Sequence, residues 1–176
     1  MRVIGGEFRS RVLKSVPGLD TRPTPDRLRE TLFNVLAPRI AGTKFADLYA
    51  GTGAVGIEAL SRGASRVVFV EKNRAALQTI RENLRALGLE TRADVRQGNP
   101  ASVLGLFDAD TVFLDPPYAL EKEYAATLAA LGDKPPALVI VQHSTRFKLD
   151  ETYGALQRTR LIKQGDNALS FYSPSP

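Results

Sequence analysis

The 176-residue sequence contains no cysteine, which excludes a disulfide framework, a thiolate metal site and a cysteine nucleophile. It holds one histidine, His143, so a multi-histidine metal centre is excluded as well. Catalysis must then rest mainly on carboxylates, backbone groups and a cofactor, with no metal. No apolar run reaches the about 18 residues of a membrane span, and the opening residues lack the apolar stretch of a signal peptide. The expectation is a cytoplasmic protein with no membrane partner. What is present is the balance of an ordinary globule, 43% hydrophobic and 24% charged, and its length fits one compact domain better than two.

Charge is unevenly placed. Residues 1–29 carry seven basic side chains against three acidic ones, a net +4, while the remaining 147 residues carry 17 against 16. Arg and Lys concentrated in one segment suit a polyanion, nucleic acid first, because phosphate contacts supply affinity without regard to base sequence. The segment alternates loosely, with Val3, Phe8, Val12, Leu13 and Val16 among the basic residues and turns at Gly5-Gly6 and Pro17-Gly18. This predicts a short β-hairpin arm over residues 1–21, followed by one domain over 22–176.

Pro25 opens a helical pattern (Leu28, Leu32, Phe33, Leu36) with Thr24 as its expected N-cap, and Pro38 stops it. From Lys44 onward strand-like runs (45–49, 66–71, 92–97, 111–115, 137–142) alternate with helical ones (55–62, 74–87, 121–131). Such alternation is the signature of βαβ units and a parallel sheet. Two further strand candidates, 156–163 and 168–172, are separated by too few residues for a parallel crossover, so they form an antiparallel hairpin.

The chemistry-bearing motifs fall at strand ends. Asp47-Leu48-Tyr49-Ala50-Gly51-Thr52-Gly53-Ala54-Val55-Gly56 places a Gly-x-Gly-x-x-Gly between a strand and a helix, where glycine lets the backbone turn tightly and approach a ligand. That pattern alone leaves a nicotinamide dinucleotide and other ligands open. Glu71 ends the next strand, where a carboxylate can accept both hydroxyls of a ribose in either kind of cofactor. Asp47, beside the glycine turn, suits a cationic amino acid tail better than a pyrophosphate. Gly98-Asn99-Pro100 puts an amide at the third strand's end, within reach of an adenine edge. The fourth strand ends in Asp115-Pro116-Pro117-Tyr118. Prolines stiffen the backbone and donate nothing, so this turn is a cluster of acceptors suited to the two protons of a nucleobase amino group. Tyr118 is placed to stack on the base.

These motifs together resemble the class I S-adenosylmethionine-dependent methyltransferases that modify nucleobase amino groups. More narrowly, Arg2-Val3-Ile4-Gly5-Gly6, Thr21-Arg22-Pro23-Thr24 with Asp26-Arg27 and Arg29-Glu30, Leu32-Phe33-Asn34, and Glu58-Ala59-Leu60-Ser61-Arg62-Gly63-Ala64 resemble the bacterial 16S ribosomal RNA (guanine-N2)-methyltransferases of the RsmD type, along essentially the whole chain. The resemblance implies an α/β, Rossmann-like fold: a seven-stranded, mostly parallel sheet with an antiparallel last strand. It implies methyl transfer from S-adenosyl-L-methionine, yielding S-adenosyl-L-homocysteine, to N2 of one guanine of 16S rRNA in an assembling small ribosomal subunit, by a monomer.

Carried over by residue, Asp47, Gly51 and Gly53 bind the methionine part of the cofactor, Glu71 the ribose and Asn99 the adenine edge. Thr24, Tyr49, Ala50, Thr52, Lys72 and Asp115 complete the cofactor set. Asp115, Pro116, Pro117 and Tyr118 hold the base, and Arg2, Arg9, Arg11, Lys14, Arg22 and Arg27 contact phosphates. The sequence departs from the pattern at Gln142-His143, where an acid is expected before the histidine, at Asn99, where aspartate is commoner, and at Gln164-Gly165-Asp166, where tyrosine usually precedes glycine. His143 is read as structural. Rival readings are an adenine-N6 methyltransferase on DNA or RNA, a non-catalytic ribosome-assembly factor, and a nicotinamide dehydrogenase, which leaves the Asp-Pro-Pro-Tyr turn unexplained.

Overall fold

The computed structural model describes residues 1–18, 24–117 and 119–176, so the expectations for Arg22 and Tyr118 lie outside the described residues. The elements run α1 (Asp26–Leu36), β1 (Lys44–Leu48), α2 (Ala54–Ser61), β2 (Arg66–Glu71), α3 (Arg74–Leu87), β3 (Ala93–Gln97), α4 (Pro100–Val103), β4 (Thr111–Leu114), α5 (Glu121–Asp133), β5 (Leu138–Ser144), β6 (Thr152–Tyr153), β7 (Leu156–Gln164) and β8 (Asn167–Pro174). They build one sheet of order β3-β2-β1-β4-β5-β8-β7-β6. Strands β1 to β5 pair in parallel; β8 lies antiparallel between β5 and β7. The mostly parallel sheet with a reversed last strand is thus present, and the two-residue β6 adds an eighth, edge strand.

The two-residue period of the strands sorts their side chains into two cores. Phe45, Phe69, Phe113, Ile140 and Phe171 face α1, α2, α3 and the opening segment. Ala46, Leu48, Val70, Leu114, Val141 and Tyr172 face α5, which contributes Tyr124, Leu128 and Leu131. With both faces covered, the central strands read as unbroken apolar runs. Strand order reverses where β1 meets β4, and in such sheets the crevice outside the strands' carboxyl ends at that point receives ligands.

The opening segment lies flat on α2 and α3. It folds back on itself through one antiparallel bridge, Arg2 to Val12, with Val3 N–H donating to the Arg11 carbonyl and Leu13 N–H to that of Met1. Val3, Leu13 and Val16 are buried. The buried Glu58 carboxylate accepts from the N–H groups of Ile4 (2.9 Å) and Gly5 (2.8 Å) and from Arg62 Nε (2.9 Å). Fully buried Arg29 lies beside it, its Nη2 donating to the Arg2 carbonyl at 2.5 Å. Ser61 takes the N–H of Phe8, and Asn83 that of Lys14.

One expected detail is corrected. Thr24 does not cap α1; Pro25 occupies that position, in an extended conformation that makes no side-chain cap. Proline's fixed φ and missing N–H turn the chain there, and the Thr24 hydroxyl goes elsewhere, as described below.

Candidate active site

Three chain segments meet at the switch point. In the first, β1 runs into a turn whose Tyr49 has φ 60, a left-handed conformation uncommon for a side chain of that size. The Tyr49 hydroxyl anchors the turn to α5, donating to Glu123 Oε2 at 2.7 Å and lying 2.8 Å from the Thr127 hydroxyl. Burial pushes its pKa up.

The three glycines do different work. Gly51 has φ 58, and a Cβ there would point into open space, so it leaves a cradle in the backbone. Gly53, φ 81, occupies the N-cap position of α2 and does not line the cavity. At Gly56 a Cβ would sit 2.3 Å from Phe69 Cε1, so this glycine lets α2 lie against β2. Its N–H donates to Asp47 Oδ2 at 2.9 Å.

The second segment is the end of β2. Glu71 Oε2 accepts from Gly51 N–H at 2.9 Å, and Oε1 accepts from the N–H groups of Lys72 and Asn73, each at 3.0 Å. The carboxylate ties the glycine turn to the start of α3. Asn99, at the end of β3, caps α4 by accepting from Ala101 N–H at 3.1 Å, which leaves its NH2 for other partners.

The third segment follows β4. Asp115 is bonded by the Thr24 side chain, which explains why that residue is buried ahead of α1 rather than capping it. The Pro116 carbonyl accepts from the Tyr124 hydroxyl at 3.3 Å, and that of Pro117 from Leu120 N–H at 2.9 Å. The Pro116 oxygen keeps a second lone pair.

All three segments line one cavity of about 540 Å³, within the roughly 300–1,000 Å³ of small-molecule sites. Of the residues expected to hold the cofactor, Thr24, Asp47, Tyr49, Ala50, Gly51, Thr52, Glu71, Lys72, Asn99 and Asp115 all line it, together with Pro116 and Pro117. Met1, Asn73, Glu123, Gln142 and Asn167 also line it, and sequence reasoning assigns them no part in the site. His143 is turned away. It is buried, its Nδ1 2.9 Å from the Ser144 carbonyl and its Nε2 2.8 Å from the Ser170 hydroxyl, and burial lowers its pKa, which keeps the ring neutral. The basic residues Arg2, Arg9, Arg11, Lys14 and Arg27 are all exposed.

Three carboxylates, Asp47, Glu71 and Asp115, line the cavity together. Desolvation raises the pKa of Asp47 well above the ordinary carboxylate range, against the Gly56 hydrogen bond, and the charges of Asp115 and Glu71 add to the rise. Asp115 is pushed up to about 7 by desolvation, opposed by the Thr24 bond. Among the described residues, none of these three carboxylates has an ion-pair partner. A positively charged ligand would favour the ionised forms of Asp47 and Asp115. No cluster of groups able to hold a metal occurs among the described residues.

The family model described as "Conserved hypothetical protein 95" matches residues 1–173. YlbH of Bacillus subtilis (strain 168), named as a candidate rRNA methyltransferase, is 36% identical over 181 aligned residues, covering 98% of each chain. The "Ribosomal RNA small subunit methyltransferase D" of Escherichia coli (strain K12) is 42% identical over 120 residues, covering 67% of this chain and 60% of that protein. Among solved structures, the candidate methyltransferase yhhF from Escherichia coli superposes with a TM-score of 0.86 at 34% identity, covering 99% of this chain and 98% of that one. With its sheet order, strand-end cavity and family match in agreement, the chain belongs to the Conserved hypothetical protein 95 family, that of the RsmD-type methyltransferases, and has their Rossmann-like class I fold.

Proposed function

We propose that the protein transfers a methyl group from S-adenosyl-L-methionine to the exocyclic N2 of one guanine in 16S rRNA, within an assembling small ribosomal subunit. One observation carries the reading: the rigid Asp115-Pro116-Pro117 turn and the glycine turn between β1 and α2 face the same cavity. The names of the relatives support rRNA as the substrate class.

The residues present suit this cofactor. Its ammonium and sulfonium charges match the three unpaired carboxylates, and the open space over Gly51 admits a close approach to backbone. S-adenosylmethionine, when bound, supplies an electrophilic methyl carbon for the base's amino nitrogen. Asp47 and the turn over Tyr49 to Thr52 would hold the methionine part, Glu71 and Lys72 the ribose, and Asn99 the adenine edge. Asp115 and the free lone pair of the Pro116 carbonyl orient the amino group, and Pro117 and Tyr118 bound the base. Asp115, with a pKa of about 7, is matched to accept the proton that the nitrogen gives up near neutral pH. The acceleration then comes from positioning and from acceptors aimed at developing positive charge.

Residues 1–21 form a basic arm on a domain of 22–176 in this reading, with Arg2, Arg9, Arg11, Lys14, Arg22 and Arg27 on phosphates. The test maps labelled methyl groups by mass on small-subunit rRNA from cells lacking the protein, before and after adding it back. Label should appear as N2-methylguanosine at one position. Label on adenine N6 would favour the rival methyltransferase, and no label together with no heat of S-adenosylmethionine binding would favour an assembly factor. Asp115→Ala should cut turnover by orders of magnitude, far beyond any loss of cofactor affinity; an unchanged rate rejects the assigned site.

A further inference from the structure

The basic opening segment reaches the cavity as well as the surface. Half-buried Met1 lines the cavity together with Thr52, and the Thr52 hydroxyl donates to the Met1 sulfur at 3.8 Å. Sulfur accepts weakly and at longer range than oxygen, while its polarisable thioether packs well against a ligand. The Met1 carbonyl accepts from Leu13 N–H at 2.8 Å, which ties this residue to the returning half of the arm.

A second link runs through α3. Asn83 is 2% exposed, and its carboxamide is shared between the arm and the glycine turn. Its Oδ1 accepts from Lys14 N–H at 2.8 Å, and its Nδ2 donates to the carbonyls of Lys14 and Thr52, each at 3.2 Å. A backbone N–H can only donate and the two carbonyls can only accept, so these partners leave the amide one orientation. Thr52 is therefore held from two sides, its hydroxyl against Met1 and its carbonyl by Asn83. It stands between Gly51 and Gly53, whose backbone has no side chains to fix its shape, so the bonds from the arm and from α3 supply that restraint.

We propose that the arm is part of the cofactor site, with Met1 contacting the methionine part of the cofactor and Asn83 acting as a positioning residue through Thr52. The inference rests on the S-adenosylmethionine reading above and goes beyond it, since that reading gives the arm to RNA phosphates alone. One segment then serves both substrates: exposed Arg2 is left to the RNA, and the residue before it closes the cavity. Holding the glycine turn in place before the cofactor arrives lowers the cost of binding, and the part of the cofactor that lies on that turn gains most.

The test uses two ligands and one label. Met1 is the chain's one methionine, so [methyl-13C]methionine gives a single reporter signal in the wild-type protein. That signal should shift as S-adenosyl-L-homocysteine is added and saturate at the same concentration as the heat of binding. Asn83→Ala should weaken S-adenosyl-L-homocysteine about 10-fold, the size of one or two lost hydrogen bonds. It should change the affinity for 5′-methylthioadenosine, which keeps the adenine, ribose and sulfur and lacks the amino acid, by less than about 2-fold. Both affinities are measured on one preparation, so partial unfolding lowers both alike and leaves their ratio unmoved. A Met1 signal that stays in place at saturation, an unchanged affinity in Asn83→Ala, or an equal loss for the two ligands overturns the proposal. If Asn83→Ala fails to fold, the Met1 signal of the wild type decides. Failure of the wild type to bind S-adenosyl-L-homocysteine at all would instead overturn the underlying reading.

Discussion

Replacing Asp115 by asparagine should stabilise the protein at alkaline pH. The folded state raises this carboxyl from its ordinary 3.8 to about 7, so between those values the folded chain holds a proton that the unfolded chain has released. Stability therefore falls as pH climbs from about 4 through 7 and levels off above. At 1.36 kcal/mol per pH unit the full penalty is about 4 kcal/mol, and water reaching this half-buried group reduces it to roughly 2 kcal/mol. Asparagine keeps an acceptor for the Thr24 hydroxyl and carries no charge. For a chain of this size each kcal/mol moves Tm by about 2–4 °C, so the variant should melt about 4–8 °C higher at pH 8.5. At pH 4, where both forms are neutral, the two should melt within about 1 °C of each other. Paired melts followed by circular dichroism across this range are the assay. A gain of equal size at both ends of the range would trace the effect to packing rather than charge, and a loss at pH 8.5 would refute the assigned environment.

Gly56→Ala drives a methyl into the Phe69 ring and Val67, 2.3 and 2.9 Å away. It should lower the urea midpoint by the equivalent of about 1–3 kcal/mol, and adding Phe69→Leu should recover part of that loss; no recovery would argue against the steric clash. Glu58→Gln leaves buried Arg29 without its buried counter-charge and should cost about 3–5 kcal/mol, read as a Tm drop of roughly 6 °C or more; a change below about 1 °C would mean that backbone donors alone account for Glu58. Converting Arg9 and Arg11 to glutamine should lower the slope of log affinity for rRNA against log salt by about 0.7–0.9 for each phosphate that is no longer neutralised. An unchanged slope would remove these two residues from the interface.

The strands and helices from Lys44 onward are legible in the sequence because a sheet covered on both faces leaves long apolar runs such as Val67 to Val70, broken by glycine and proline turns. The glycine turn and the Asp115 turn are legible as local strings whose geometry follows from their own residues. Less visible are the interactions that join distant parts of the chain. Thr24 reads as a helix cap, since nothing near it in sequence reveals a carboxylate 91 positions further on. Glu58 lies in a helix whose residues are all buried, and its role in pinning Ile4 and Gly5 depends on how the opening segment folds back. Gln142 registers in sequence only as a departure from a pattern. It reaches the cavity wall because it follows Val141, which pairs with Leu114 next to Asp115, a property of register rather than of composition.

The placement of β8 between β5 and β7 bears on how the protein is made. The strand that comes last in chain order fills an interior position, so during translation β5 carries an open hydrogen-bonding edge until residues beyond Asn167 have been polymerised. A nascent chain stalled before that point would expose Val139, Ile140 and Val141 along an unpaired edge, a template for intermolecular pairing. Folding of this sheet must therefore finish after synthesis of its final strand, and molecules truncated there should be captured by chaperones or aggregate rather than persist as partly active enzyme.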